Sequence, residues 1–127
     1  MRRVRVAGVS VKLPRRLLEE VDMLVGLGAA AWRSELVVIG MTLMMAHGAY
    51  PPPPPLERPA TVISVTVPRG LLERFIEYTK GHYATLSDAV RAAMDYAIET
   101  VGPLFSYRRR QPEGEEDSGV ELLVGRT

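Results

Sequence analysis

The sequence predicts a mainly α-helical chain with two short β-strands, one in each of two similar units, and two observations carry that expectation. Residues 9–20 recur as residues 63–74 at an offset of 54, with seven of twelve positions identical. In both copies an alternating apolar pattern gives way to a helical one at a Pro-Arg dipeptide, Pro14-Arg15 and Pro68-Arg69. A repeat of this period is one small supersecondary unit used twice. Units of ~45 residues lie near the lower limit for an independent core, so neither copy is expected to fold alone.

Val9, Val11 and Leu13 alternate with Ser10 and Lys12, and Ile63, Val65 and Val67 alternate with Ser64 and Thr66, which is the period-two pattern of a half-buried strand. Pro14 and Pro68 end these strands and fit just inside a helix start, because proline lacks the N–H that a ladder needs. The first helix of each copy places Leu17, Val21 and Leu24, or Leu71, Phe75 and Tyr78, on one stripe. Gly26 and Gly28 end the first, and Gly81 the second.

A second helix follows in each copy, with Ser34 and Ser87 as N-caps ahead of the first-turn acids Glu35 and Asp88. Aligning these serines requires one extra residue in the first copy's turn. In the second copy this helix is amphipathic, with Arg91, Asp95 and Glu99 every four residues and Val90, Met94, Ala97 and Ile98 available for the core. Its counterpart, residues 36–46, is apolar nearly all round. It reads either as the more central core helix or as a self-association face for a homo-oligomer.

The chain therefore divides into a basic arm (1–7), a first unit (8–47), a proline-rich linker (48–60), a second unit (61–101) and a tail (102–127). The five prolines at 51–55 make a polyproline II spacer of roughly 15 Å at ~3.1 Å per residue. In the tail a basic run, Arg108 to Arg110, precedes an acidic segment whose composition suggests disorder over 111–119, and then a short apolar stretch, 120–124.

Charge is unevenly placed. The net charge is +1, yet residues 1–16 hold six cations and no acid, while residues 111–127 hold five acids and one arginine. A basic end is the electrostatic footprint of a polyanion binder. The absence of cysteine excludes a disulfide framework, a thiolate metal site and a cysteine nucleophile, and agrees with a reducing, cytoplasmic setting. The opening Met-Arg-Arg-Val-Arg does not read as a secretory signal, and the 11-residue apolar run is too short for a bilayer, which takes roughly 20. The only histidines, His47 and His82, lie in different copies and lack the spacing of a metal site. No catalytic constellation, metal or cofactor is expected, and the chain is not expected to be an enzyme.

Strand, helix, turn and helix within ~40 residues, the Pro-Arg-x-Leu-Leu-Glu opening of helix one, and the Arg33-Ser34-Glu35-Leu and Leu86-Ser87-Asp88-Ala openings of helix two resemble the ribbon-helix-helix superfamily of DNA-binding proteins. The resemblance covers residues 8–47 and 61–100. It implies a mainly α fold in which the two strands pair as a short two-stranded antiparallel β-ribbon that enters the DNA major groove, two tandem units forming a covalent pseudo-dimer. A lone strand has no other partner here for its backbone groups.

On that resemblance the outward positions Gly8, Ser10, Lys12, Val62, Ser64 and Thr66 read bases. Lys12 can donate to guanine O6 or N7, the hydroxyls can donate or accept, and Val62 or the Thr66 methyl can meet a thymine methyl. Ser34, Glu35, Ser87 and Asp88 mark the helix N-termini expected to hold phosphates, and Arg2, Arg3 and Arg5 form the arm expected to reach the backbone or a groove. Arg33, Lys80 and His82 stand near the turns as further backbone contacts. Lys12 corresponds to Thr66 and Gly8 to Val62 across the repeat, so an asymmetric site is expected. The implied function is a transcriptional regulator, with repression the commonest use of the family. Two rivals stand beside it: an antitoxin whose tail, 108–127, masks a toxin partner, and an interaction module acting through residues 36–46.

Overall fold

A computed structural model describes residues 5–109. Strand β1 (Val6–Pro14) leads into α1 (Arg15–Gly26) and α2 (Arg33–His47), and β2 (Ala60–Pro68) leads into α3 (Arg69–Thr79) and α4 (Leu86–Val101). A 3-10 turn, Gly102–Phe105, follows α4. The described chain is mainly helical with a single two-stranded antiparallel sheet.

The strands pair over their whole length, with Ser10 opposite Ser64 at the centre, flanked by Gly8 opposite Thr66 and Lys12 opposite Val62. One face of the ribbon is covered: Val9, Val11, Leu13, Val65 and Val67 are buried, and Ile63 is half-buried. Full burial of each such side chain favours folding by about 1.5–3 kcal/mol, which fixes the register, because a one-residue slip would turn this set into solvent. Both ends of the ribbon are closed alike. The Arg69 N–H donates to the Arg5 carbonyl at 2.8 Å, and the Arg15 N–H to the Pro59 carbonyl at 3.2 Å.

Three boundaries differ from the sequence expectation, the first being that β2 already starts at Ala60, inside the expected linker. The ribbon begins at Val6 rather than Gly8, so Val6 and Ala7 are strand and not arm; the ladder runs on through the Ala7–Val67 pair to the bond from the Arg69 N–H to the Arg5 carbonyl. Pro14 and Pro68 stand one residue before the helices, as the last strand residues and with extended backbone, rather than inside the first turn.

The second helices cross units: α4 packs on β1 and α2 on β2, while α2 and α4 pack on each other. At their crossing Gly40 meets the α4 backbone so closely that a Cβ added there would lie 2.0 Å from the Ala93 carbonyl oxygen. Gly40 and Ala93 hold corresponding places in the two copies, as do Ser10 and Ser64. On α2, Leu36, Val37, Met41 and Met44 are buried, whereas Val38, Ile39, Leu43 and Met45 are half-buried. The apolar helix thus serves as core, and none of its large side chains is fully exposed.

The linker lies against the second unit. Tyr83 donates its hydroxyl to the Pro51 carbonyl at 2.6 Å, and Arg91 Nε donates to the Pro54 carbonyl at 2.9 Å. The Tyr78 hydroxyl donates to the Met44 and Ala49 carbonyls, closing the end of α2 where Gly48 turns the chain at φ 64°.

Candidate nucleic-acid interface

Strand alternation places Gly8, Ser10, Lys12, Val62, Ser64 and Thr66 together on the uncovered face of the ribbon, and all six are exposed. Val6 joins them at one end, 54% exposed. The face is small and polar at its centre, where two hydroxyls face each other, and it becomes unequal outward. Lys12 beside Val62 gives one half a cation and an apolar branch, whereas Gly8 beside Thr66 gives the other a gap and a hydroxyl.

The serines of the second helices work differently from the caps expected of them. The N-cap residues are Trp32 and Thr85, and the Thr85 hydroxyl accepts from the Asp88 N–H at 3.0 Å. Ser34 and Ser87 stand two residues later and each binds the other unit's strand. The Thr66 N–H donates to Ser34 Oγ at 2.8 Å, and the Lys12 N–H donates to Ser87 Oγ at 3.0 Å. The reason is packing: each helix start lies along a ribbon edge, where strand N–H groups lack a ladder partner. A hydroxyl that accepts one bond keeps its own hydrogen to donate.

The first-turn acids fold back on the protein. Glu35 Oε1 accepts from the Ala31 N–H at 2.5 Å, and Asp88 Oδ1 accepts from Arg91 Nη2 at 2.8 Å. Of the arm, Arg5 is exposed beside Arg69 at the ribbon end, and Arg2 and Arg3 lie outside the described residues. Arg33 is taken up by Asp22 in a two-pronged pair at 2.8 and 3.0 Å, which raises the affinity of its guanidinium for the proton. His82 stacks on Tyr50 with ring centres 3.6 Å apart, and His47 Nδ1 meets the Tyr96 hydroxyl at 2.7 Å. Lys80 is exposed.

Three features were not legible as parts of the site. Arg15 and Arg69 are exposed in the first turns of α1 and α3, which contain no acid. Cations there oppose the helix dipole, so helix stability does not account for them. Their signal was the Pro-Arg pair common to both copies. Arg91 belongs to a polar stripe by its spacing, yet it is buried, 4% exposed, and reaches the ribbon edge, its Nη1 donating to the Lys12 carbonyl at 3.2 Å.

Asp95 of that stripe is half-buried as well, whereas Glu99 stays exposed. Arg109 inserts its guanidinium among Glu20 of α1 and Asp95 and Glu99 of α4, at 2.6–2.8 Å, and the Tyr107 hydroxyl donates to Glu20 at 3.1 Å. Burial raises the Asp95 carboxyl above its usual range, against the lowering pull of Arg109. A cleft of about 460 Å³ opens here, with Arg16, Glu57 and Pro54 on its other walls.

Among the described residues no cluster of three or more His, Asp or Glu is placed to hold a metal ion, and no helix is long and apolar enough to cross a membrane. Comparison with protein-family models, curated proteins and solved structures finds no match.

Proposed function

We propose that the chain is a tandem ribbon-helix-helix pseudo-dimer that binds double-stranded DNA sequence-specifically and acts as a transcriptional repressor. The observation that carries this reading is the exposed ribbon face, Gly8, Ser10 and Lys12 against Thr66, Ser64 and Val62. A two-stranded ribbon fits the B-DNA major groove, and these side chains are short donors, acceptors and methyl groups suited to base edges. The pseudo-dimer is supported by contacts between corresponding residues, Ser10 with Ser64 and Gly40 with Ala93, and by the reciprocal Ser34 and Ser87 bonds. Exposed Arg5, Arg15 and Arg69 at the ribbon ends supply charge for phosphates.

On this reading the two half-sites differ, because Lys12 and Thr66 hold corresponding places. Selection of bound sequences from a random DNA pool should yield a non-palindromic consensus. Lys12→Ala should relax preference in one half and Thr66→Ala in the other, each by about 1–3 kcal/mol of discrimination. Unchanged affinity and preference in both variants at fixed salt would sink the assignment of the ribbon as the reading surface.

A further inference from the structure

We infer that Arg91 is a positioning residue that holds the Lys12 half of the ribbon in place for base reading, while among the described residues the Thr66 half has no equivalent brace. The inference rests on the DNA-binding reading above, and its observations are the guanidinium's three partners. Nη1 donates to the Lys12 carbonyl at 3.2 Å, Nε to the Pro54 carbonyl at 2.9 Å and Nη2 to Asp88 Oδ1 at 2.8 Å. The Lys12 N–H is bound as well, by Ser87 Oγ at 3.0 Å. Both backbone polar groups of Lys12 at the outer edge of β1 are therefore tied to α4, and one guanidinium fixes ribbon, linker and the first turn of α4 together.

The other half of the ribbon is built differently. The Thr66 N–H has Ser34 Oγ at 2.8 Å, but the place of Arg91 in α2 is taken by Val38, whose side chain has no donor for the Thr66 carbonyl. A buried arginine is costly unless its charge is paired and its donors are used, and here Asp88 and two carbonyls use them. The return is position: a lysine reading a base edge needs its Cα held closely, since a specific contact tolerates little displacement.

The test compares the full chain with Arg91→Met, which keeps the aliphatic stem, and Ser34→Ala, which loosens the opposite edge. Each is titrated at one salt concentration against DNA carrying changes in one half-site or the other, and backbone amide exchange is followed at Lys12 and Thr66. Arg91→Met should lose roughly tenfold discrimination in the Lys12 half and none in the Thr66 half, with faster exchange at Lys12 only. Ser34→Ala should do the reverse.

Equal loss in both halves, or unchanged discrimination, would reduce Arg91 to a purely structural residue. Unchanged Lys12 exchange in Arg91→Met overturns the brace whether or not DNA binds, whereas a parent chain that binds no DNA overturns the functional reading and the half-site consequence with it. If Arg91→Met does not fold, Arg91→Lys, which keeps the charge but not the fork, takes its place. It should show the same selective loss, and a lysine variant matching the parent in both readouts refutes the proposal.

Discussion

Gly40 sits where α2 and α4 come closest, and the groups that a methyl would strike are the Ala93 carbonyl oxygen at 2.0 Å and carbon at 2.6 Å. Backbone cannot swing aside as a side chain can, so the two helices must part. Gly40→Ala should cost about 1–3 kcal/mol, as overpacking of a tight interior does, read as a lower urea midpoint at unchanged slope. Gly26 is the control: it closes α1 with nothing within 4 Å of an added Cβ. Gly26→Ala should be neutral or stabilising by up to about 1 kcal/mol. Equal losses in the two variants would show that the helix crossing is not the tight point.

At the scale of elements, α2 and α4 are sister helices with opposite fates. The apolar α2 is core, and on the polar stripe of α4 Arg91 and Asp95 are met by segments that arrive from elsewhere, Pro54 from the linker and Arg109 from beyond the 3-10 turn, while Glu99 stays exposed. The Asp95 carboxyl, raised by burial, binds its proton more firmly in the folded chain than in the unfolded one. Its contribution favours folding below the ordinary carboxylate value and is lost as pH rises through the raised one. Arg109 limits that loss, so in Arg109→Met burial and the neighbouring Glu20 and Glu99 act on Asp95 unopposed. The variant should be less stable than the parent at pH 7, and the gap should narrow at pH 5, measured by urea unfolding at both. A gap that widens on acidification would contradict this account of the cluster.

For the whole molecule, duplication yields two units that cannot be exchanged. The strands are closed alike at their ends, yet one edge is held by Ser87 and Arg91 and the other by Ser34. Binding to DNA, on the proposed reading, draws on phosphate contacts at both ends of the ribbon. Arg15→Ala and Arg69→Ala should each weaken binding with little change in sequence preference, and each should reduce the log–log salt slope by about one. Titrations at several salt concentrations check this, and a slope unchanged in both variants would place the phosphate contacts elsewhere.

Periodicity is a local property, and with the repeat it sufficed for the two strands, the four helices and the split between covered and uncovered strand faces, whereas the antiparallel pairing was an expectation of the family resemblance. The six exposed ribbon positions were readable for the same reason: alternation along a strand needs no knowledge of what is packed against it. Partners were not readable. Ser34 and Ser87 look like caps because serine at a helix start usually is one, but their hydroxyls face N–H groups some 32 and 75 positions away along the chain. Arg91 and Asp95 look like a solvated stripe because a period of four says which residues share a face and nothing about what lies over it. The linker and the segment carrying Arg109 lie over it, and burial turns solvated charges into braces. Local pattern thus decided the strands and their two faces, and tertiary packing decided how the ribbon edges are held, because a hydrogen bond depends on distance in space and a pattern only on distance along the chain.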